Sequence, residues 1–319
     1  VADAVNPPLR IVSLLPSATE IAVALGLQDN LVGRSHECDF PPAVQALPVC
    51  TATKLEKGLS SQAIEDRVKG IVEKGLSVYD VDAPLLKSLR PDVILTQAQC
   101  AVCAVTPADL DEALASWVGT PPRLVSLAPD DLADVLDDFA RVAEAAGVPE
   151  RAGAAAARMR AGLDALPAAP DQRPTMLALE WLQPLMVAGN WVPELITAAG
   201  AEPLLAAPGV HSHWIEAEAV IAADPDIIAL MPCGYQLAQT LPEARALLTQ
   251  AWWRDLRAVR EGRVYAVDGH HLFNRPGPRL VESAEVLACL IHTPDRVPER
   301  LAPFIQPLQA RGAGGISRA

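Results

Sequence analysis

Aromatic side chains are scarce in this 319-residue sequence, 4% of the total, and six of them are tryptophan. Large flat recognition surfaces are therefore few, and the placement of each one matters more than the number. Basic residues are also in deficit: 26 Lys+Arg stand against 39 Asp+Glu, a net charge of −13. A surface of that sign repels phosphate backbones and anionic membrane faces, which excludes nucleic acid as a partner. No uncharged apolar run approaches the roughly 20 residues needed to cross a bilayer core. The opening VADAVNPPLR shows neither the basic nor the apolar region of a secretory signal. Catalytic fingerprints are missing as well. There is no G-x-S-x-G elbow, no phosphate-binding P-loop, no H-E-x-x-H and no G-x-G-x-x-G, so no enzymatic activity and no required cofactor are expected. Six cysteines at irregular spacing leave the redox compartment open, since a chain of this length does not need a disulfide framework to build its core.

What is present alternates strand and helix. RIVSLL (10–15) reads as a buried strand and PSATEIAVALGL as a helix. Ser17 and Glu20 have the spacing of a capping box, and Gly26 stands where a C-terminal glycine belongs. LVGRS is a second strand, a helical stretch follows near 61–74, LLKSLRPDVILTQ gives helix, Pro-Asp turn and strand, and RLVSLA another strand. This rhythm predicts parallel β-α-β units covered on both faces. DLADVLDDFARVAEAAG and ERAGAAAARMRAGLDAL are then two helices with no strand between them.

The second half repeats the first. TMLALEW is a strand, WVPELITAAG a helix ending at Gly200, GRVYAVDG a late strand and PRLVESAEVLACLIH a closing helix. LRPDVIL and ADPDIIAL each join a helix end, a Pro-Asp corner and a buried strand, and Pro91 and Pro225 lie 134 positions apart (225 − 91). The fold class expected is α/β: two similar α/β lobes with largely parallel sheets joined by one long backbone helix, with a ligand cleft between the lobes. The expected division is 9–148 for the first lobe, 149–167 for the connecting helix, 168–295 for the second lobe and 296–319 for a tail.

Ligands of parallel α/β sheets bind beyond the carboxyl ends of the strands. The loops there carry His36, Glu37 and Cys38; Gln99, Cys100 and Cys103; Trp181, Asn190 and Trp191; Cys233 and Tyr235; and His270, His271, Phe273 and Asn274. Ser17 opens a helix whose first amides can meet a polar ligand group. Lobes facing one another would set these loops along one cleft. Cys50 and Cys289 read as small buried hydrophobes. Cys100 and Cys103 form a C-x-x-C open to three readings, namely a dithiol pair, half of a metal site or packing, and no partner motif fixes a metal. From an extended loop, only one of His270 and His271 would enter a cleft. His211 and His213 read as polar loop residues before a helix at Ile215.

RIVSLLPSATEIAVALGLQDNLVGRSHECDFPP, LRPDVILTQ, ADPDIIAL and WWRDLRAVREGRVYAVDG, in this order around the central helices, resemble the helical-backbone (class III) substrate-binding proteins of ABC importers. The likeness runs from about Arg10 to about His292 and is strongest to the cobalamin-binding branch, with ferric-siderophore and haem binders as cousins. The resemblance implies a monomer that captures cobalamin, a related corrinoid or another metal chelate outside the cytoplasm and delivers it to importer membrane subunits. It implies docking through one acid per lobe: Glu218 in the second, and in the first, where Pro84 replaces the family glutamate, Asp82 as the nearest acid. A corrin is a broad apolar plate rimmed by amides. Trp181, Trp191, Tyr235 and Phe273 could pack on the plate, and Asn190 and Gln99 could satisfy the rim. The alternative on the same scaffold is a cytoplasmic metal-handling or redox protein using Cys38, Cys100, Cys103 and Cys233.

Overall fold

The computed structural model describes residues 8–54, 61–72, 78–97, 105, 110, 114, 117 and 119–308. They fall into two compact units. The first gathers the described residues of Val1–Leu59 and Ala63–Arg160 with Pro276–Pro278, and the second those of Ser60–Gln62, Ala161–Arg275 and Arg279–Ala319.

In the first unit β1 (Ile11–Ser13) leads into α1 (Pro16–Ala24), and β2 (Leu31–Arg34) follows. β3 (Thr51–Thr53) and β4 (Tyr79–Val81) form a separate antiparallel pair, with α2 (Ser61–Val72) between them in sequence. α3 (Ala83–Leu89), β5 (Val93–Gln97), β6 (Arg123–Leu127) and α4 (Leu132–Ala145) complete the unit. The sheet order is β2-β1-β5-β6, all parallel, and β1 and β5 are buried along their whole length. Helices on both faces of a parallel sheet leave no polar side, so its strands are continuous apolar runs. Ser17 does not cap α1. The cap position is Leu15, Pro16 takes the first turn, and Ser17 and Glu20 are both buried. Proline needs no amide partner there, which shifts the helix start two residues ahead of the expected box. Gly26 ends the helix as expected, at φ 74° with its amide on Val23 O.

The chain passes from the first unit to the second within α5 (Ala152–Asp164). Arg151 and Arg158 donate to the last carbonyls of the α1 segment, Leu25 O at 3.2 Å and Ala24 O at 2.8 Å. These cations answer carbonyls that a helix end leaves without partners.

The second unit repeats the parallel quartet. β7 (Thr175–Leu182) makes a hairpin with β8 (Leu185–Val187), and α6 (Val192–Ala199) ends at Gly200, φ 102°. β9 (Glu202–Pro203), β10 (His213–Trp214), α7 (Ala217–Ala223), β11 (Ile227–Leu230), α8 (Leu237–Leu247), α9 (Arg257–Arg260), β12 (Val264–Val267), α10 (Leu280–His292) and β13 (Ile305–Pro307) follow. β9, β7, β11 and β12 are parallel in that order, matching β2-β1-β5-β6. Three strands are additions. β8 and β10 extend the sheet past β7, so His213 lies in a strand rather than a loop, and the next helix starts at Ala217. Ile305–Pro307, expected in a tail, pairs antiparallel with β12.

The Pro-Asp corners match atom for atom. α3 ends on Arg90 and α7 on Asp224, both left-handed at φ 44° and 38°. Two residues on, Asp92 Oδ2 accepts the Arg10 amide at 2.8 Å and Asp226 Oδ2 the Thr175 amide at 2.8 Å. Each carboxylate thus pins the entry of the neighbouring parallel strand. Burial pushes the Asp226 carboxyl up, but the Thr175 bonds and Arg257 Nη1 at 2.6 Å outweigh it and hold it below the ordinary carboxylate range.

Asp226→Ala is expected to lower the unfolding free energy by about 2 kcal/mol, the scale of hydrogen bonds to a charged group, measured by urea denaturation at pH 7. Because Asp226 ionises more readily folded than unfolded, its contribution is complete above about pH 4 and disappears as pH falls through the lower folded value. The difference between wild type and variant should therefore narrow as pH falls below the ordinary carboxylate range of about 4.

Candidate functional site

In the first unit, the loop after β2 is held to the end of β1 by short polar bonds. Ser35 N donates to Ser13 O at 2.9 Å, and Cys38 N to Ser35 O at 3.2 Å. Thr19 Oγ1 lies 2.8 Å from Ser13 Oγ and 3.1 Å from Cys38 Sγ. His36 is fixed twice on β3: its amide and its Nδ1 lie 3.1 and 2.8 Å from Thr51 Oγ1. Its ring tilts against Tyr79 at 5.8 Å, and its Nε2 is 3.9 Å from Glu37 Oε1. Arg34 Nη1 donates to the carbonyls of Ser35 and Cys38, which freezes the loop's outline. The structure thus brings His36, Glu37 and Cys38 together beside the start of α1, where Ser17 Oγ is buried and makes no hydrogen bond among the described residues. Cys38 itself is packed inward, 1% exposed. Gln99, Cys100 and Cys103 lie outside the described residues.

In the second unit the carboxyl ends of β7, β11 and β12 carry the aromatic residues. Trp181 and Tyr235 meet edge to face at 5.6 Å, and Tyr235 O accepts the His270 amide at 3.0 Å. Burial, with Glu243 beside the hydroxyl, raises the Tyr235 pKa, so the phenol stays protonated. Trp191 donates from Nε1 to Phe273 O at 2.9 Å. Phe273 was expected on the ligand surface, but its ring is fully enclosed in the core. It serves this region through its carbonyl instead. Asn190 takes a left-handed backbone, φ 53°, and its amide donates to Val210 O at 2.7 Å. Trp181 Nε1 and Asn190 Nδ2 are buried donors with no hydrogen-bond partner among the described residues. An unmade bond of this kind costs about 1–3 kcal/mol, and a ligand acceptor would recover it.

His270 and His271 do not alternate across an extended loop. A π-helical turn, Gly269–Phe273, brings their rings edge to face at 4.7 Å. Asp268 starts the turn and accepts from His271 N at 2.8 Å, His271 Nδ1 at 3.0 Å and Leu237 N at 3.3 Å. Arg275 Nη2 lies 2.8 Å from His270 Nε2. Burial pushes the Asp268 carboxyl up, but the bonds from His271 and Leu237 prevail and keep it below the ordinary range. Gly269 is required by close approach, since a Cβ there would lie 2.3 Å from Pro232 O and 2.7 Å from Met231 O. Asp268 and Arg275 were not marked from sequence as site residues. The signal available was the D-x-x-H spacing, which a helical turn places on one face.

The described thiols are unpaired with one another. Burial raises the Cys50 pKa to about 11 and pushes Cys289 up as well. Cys233 alone among them is partly exposed.

The profile of the family described as "Periplasmic binding protein" matches residues 11–270. The vitamin B12-binding protein of Photorhabdus laumondii is 28% identical over 284 residues, covering 88% of this chain and 86% of that protein. Among solved structures, a periplasmic heme binding protein from Pseudomonas aeruginosa superposes with a TM-score of 0.66 at 23% identity, over 96% of this chain and 100% of that one. The periplasmic vitamin B12 binding protein of Vibrio cholerae superposes at 0.59 and 22% identity, over 89% and 98%. These two likenesses are of fold.

Two outcomes follow for the site. Gly269→Ala should lower stability by about 1–3 kcal/mol, the usual cost of overpacking, in thermal or urea unfolding. In a Cys100→Ser, Cys103→Ser background at pH 8, Cys233 should be the fast-reacting thiol toward a disulfide reagent, with Cys38, Cys50 and Cys289 reacting only after denaturation. Rapid labelling of Cys38 in the native chain would contradict its inward packing.

Proposed function

The chain belongs to the periplasmic binding protein family, and from that premise we propose that its cargo is cobalamin or a related corrinoid. It is a substrate-binding protein of the ABC-importer class, a family of extracytoplasmic proteins that bind a ligand and hand it to membrane subunits rather than transform it.

The observation that carries the corrinoid reading is the pairing of an aromatic wall with buried donors. Trp181 and Tyr235 pack ring against ring at 7% and 5% exposure, while Trp181 Nε1 and Asn190 Nδ2 point no hydrogen at any described acceptor. A corrin presents an apolar plate edged by amide carbonyls, the acceptors such donors need. In the first unit, Ser17 Oγ is another buried group with no hydrogen bond among the described residues. The name of the Photorhabdus relative supports the same ligand class. Haem is the second reading, favoured by the fold likeness to the Pseudomonas protein. Its carboxylates would seek cations, yet the buried Arg275 and Arg279 are engaged by His270 and Glu282. The inward packing of Cys38 and the raised pKa of the buried Cys50 argue for packing over redox chemistry at these two thiols.

For docking, the internal repeat is informative. The 134-residue offset sets Glu216 against Asp82 and Glu218 against Pro84. Glu218 is exposed in the first turn of α7, whereas the Asp82 carboxylate caps α3 by accepting the Leu85 amide at 2.9 Å. Glu218 is therefore the stronger docking group, and Asp82 has a local structural role as well.

Tryptophan fluorescence titrations with cyanocobalamin, hemin and a ferric siderophore decide the cargo. Saturable quenching by cyanocobalamin at the lowest concentration is expected, weakened roughly tenfold, or about 1.4 kcal/mol, by Trp181→Phe. Tighter hemin binding would replace the corrinoid reading with haem, and binding of none would overturn it. Glu218→Ala should weaken association with reconstituted importer membrane subunits without changing the cyanocobalamin affinity, whereas Asp82→Ala should cost α3 about 1 kcal/mol of capping.

A further inference from the structure

Within the second unit, the β7–β8 hairpin, the approach to α7 and residues of α8 enclose an open groove of about 480 Å³. That is inside the range of about 300–1,000 Å³ typical of ligand pockets, and it admits a long side chain. The walls are mostly apolar, with Leu182 and Leu185 from the hairpin, Ile215 before α7 and Ala246 on α8. No Lys or Arg lines it. Trp252 forms part of the wall and is held edge to face on the fully buried Trp253 at 5.3 Å, so its ring is a fixed surface. Glu243 also lines the groove but is engaged by the Tyr235 hydroxyl at 3.5 Å. Glu216 is the acid on offer, exposed and in no ion pair among the described residues.

An apolar trough with a carboxylate and a fixed indole selects one kind of side chain. Arginine lays a long apolar stem along such walls, stacks its planar guanidinium on an aromatic face and pairs with a carboxylate. Lysine carries a strongly hydrated point charge that gains less from the ring.

The surroundings indicate that a protein carries this side chain. Glu216 stands two residues before Glu218, which is exposed in the first turn of α7. Among the described residues five large apolar side chains are exposed, and three of them, Val210, Trp214 and Ile221, fall in the segment that leads into and forms α7. Ile221 follows Glu218 at the i+3 spacing that shares a helix face. Exposed tryptophan and aliphatic groups beside charges are the composition of a protein interface, and a small free cation needs none of them.

We propose that this groove receives an arginine side chain of the importer's membrane subunit, held by Glu216 and the Trp252 ring, a contact that rests on the docking role of Glu218 and extends it. Glu218 reaches out to the partner, and the groove takes a group of the partner in.

Two end-blocked peptides, Gly-Arg-Gly and Gly-citrulline-Gly, differ by one charge on otherwise similar side chains. In nitrogen–proton correlation spectra the Trp252 indole signal, identified through Trp252→Phe, should move with the arginine peptide at a concentration about tenfold below that needed for the citrulline peptide, and Glu216→Gln should remove the preference. Equal responses to the two peptides, or none to either, would overturn the proposal. Ala246→Phe fills the groove from an exposed position. Ala246→Phe and Glu216→Gln should each weaken association with reconstituted importer membrane subunits about tenfold, with thermal unfolding as in wild type. Should Ala246→Phe fail to fold, Glu216→Gln decides. If the groove variants associate like wild type while Glu218→Ala does not, the groove assignment falls and the docking role of Glu218 stands. If Glu218→Ala also associates like wild type, both fall.

Discussion

A single buried carboxylate organises the second unit's share of the site. Asp268 accepts three hydrogen bonds, from the amide and ring of His271 and from the first amide of α8. A charge taken out of water at the end of β12 is tolerable only with such partners, and they hold the carboxyl ionised against the opposing effect of burial. The π-turn, the orientation of both imidazoles and the entry of α8 all hang on this one group. Through the His270 amide the constraint reaches Tyr235 and then Trp181. Gly269 completes it, because only a residue without Cβ lets the turn lie against the carbonyls of Met231 and Pro232.

The two units share a scaffold and differ in chemistry. Both have four parallel strands in the same connectivity, both close a helix on a left-handed residue before a proline, and both use an aspartate to pin the next strand's entry. At their strand ends the first offers hydroxyls, a thiol and an imidazole, and the second offers indoles, a phenol and two imidazoles backed by Asp268 and Arg275.

Much of this was legible in the residues. Continuous apolar runs such as DVILTQ and DIIAL mark buried parallel strands, and the paired Pro-Asp corners mark a repeat, because both signals are local. What was not legible depends on tertiary contact. Proline at Pro16 moved the start of α1 and freed Ser17 from capping. The β8 and β10 strands and the late pairing of Ile305–Pro307 with β12 are short, and their partners are distant in sequence. The enclosure of the Phe273 ring, and the π-turn that joins His270 to His271 by lying against the Met231 and Pro232 carbonyls and bonding to Asp268, are tertiary features that periodicity does not report. Loop positions named for their chemistry were easier to find than the groups that orient them.

The central claim is that the buried donors beside the aromatic wall await acceptors on the rim of a corrinoid. The most direct test is a nitrogen–proton correlation spectrum of the labelled protein, with the Trp181 indole and Asn190 amide signals identified through Trp181→Phe and Asn190→Ser. On addition of cyanocobalamin, both signals should move downfield, as expected for protons newly engaged by carbonyl oxygen, and saturate together with binding. Saturation of binding with both signals unmoved would contradict the account.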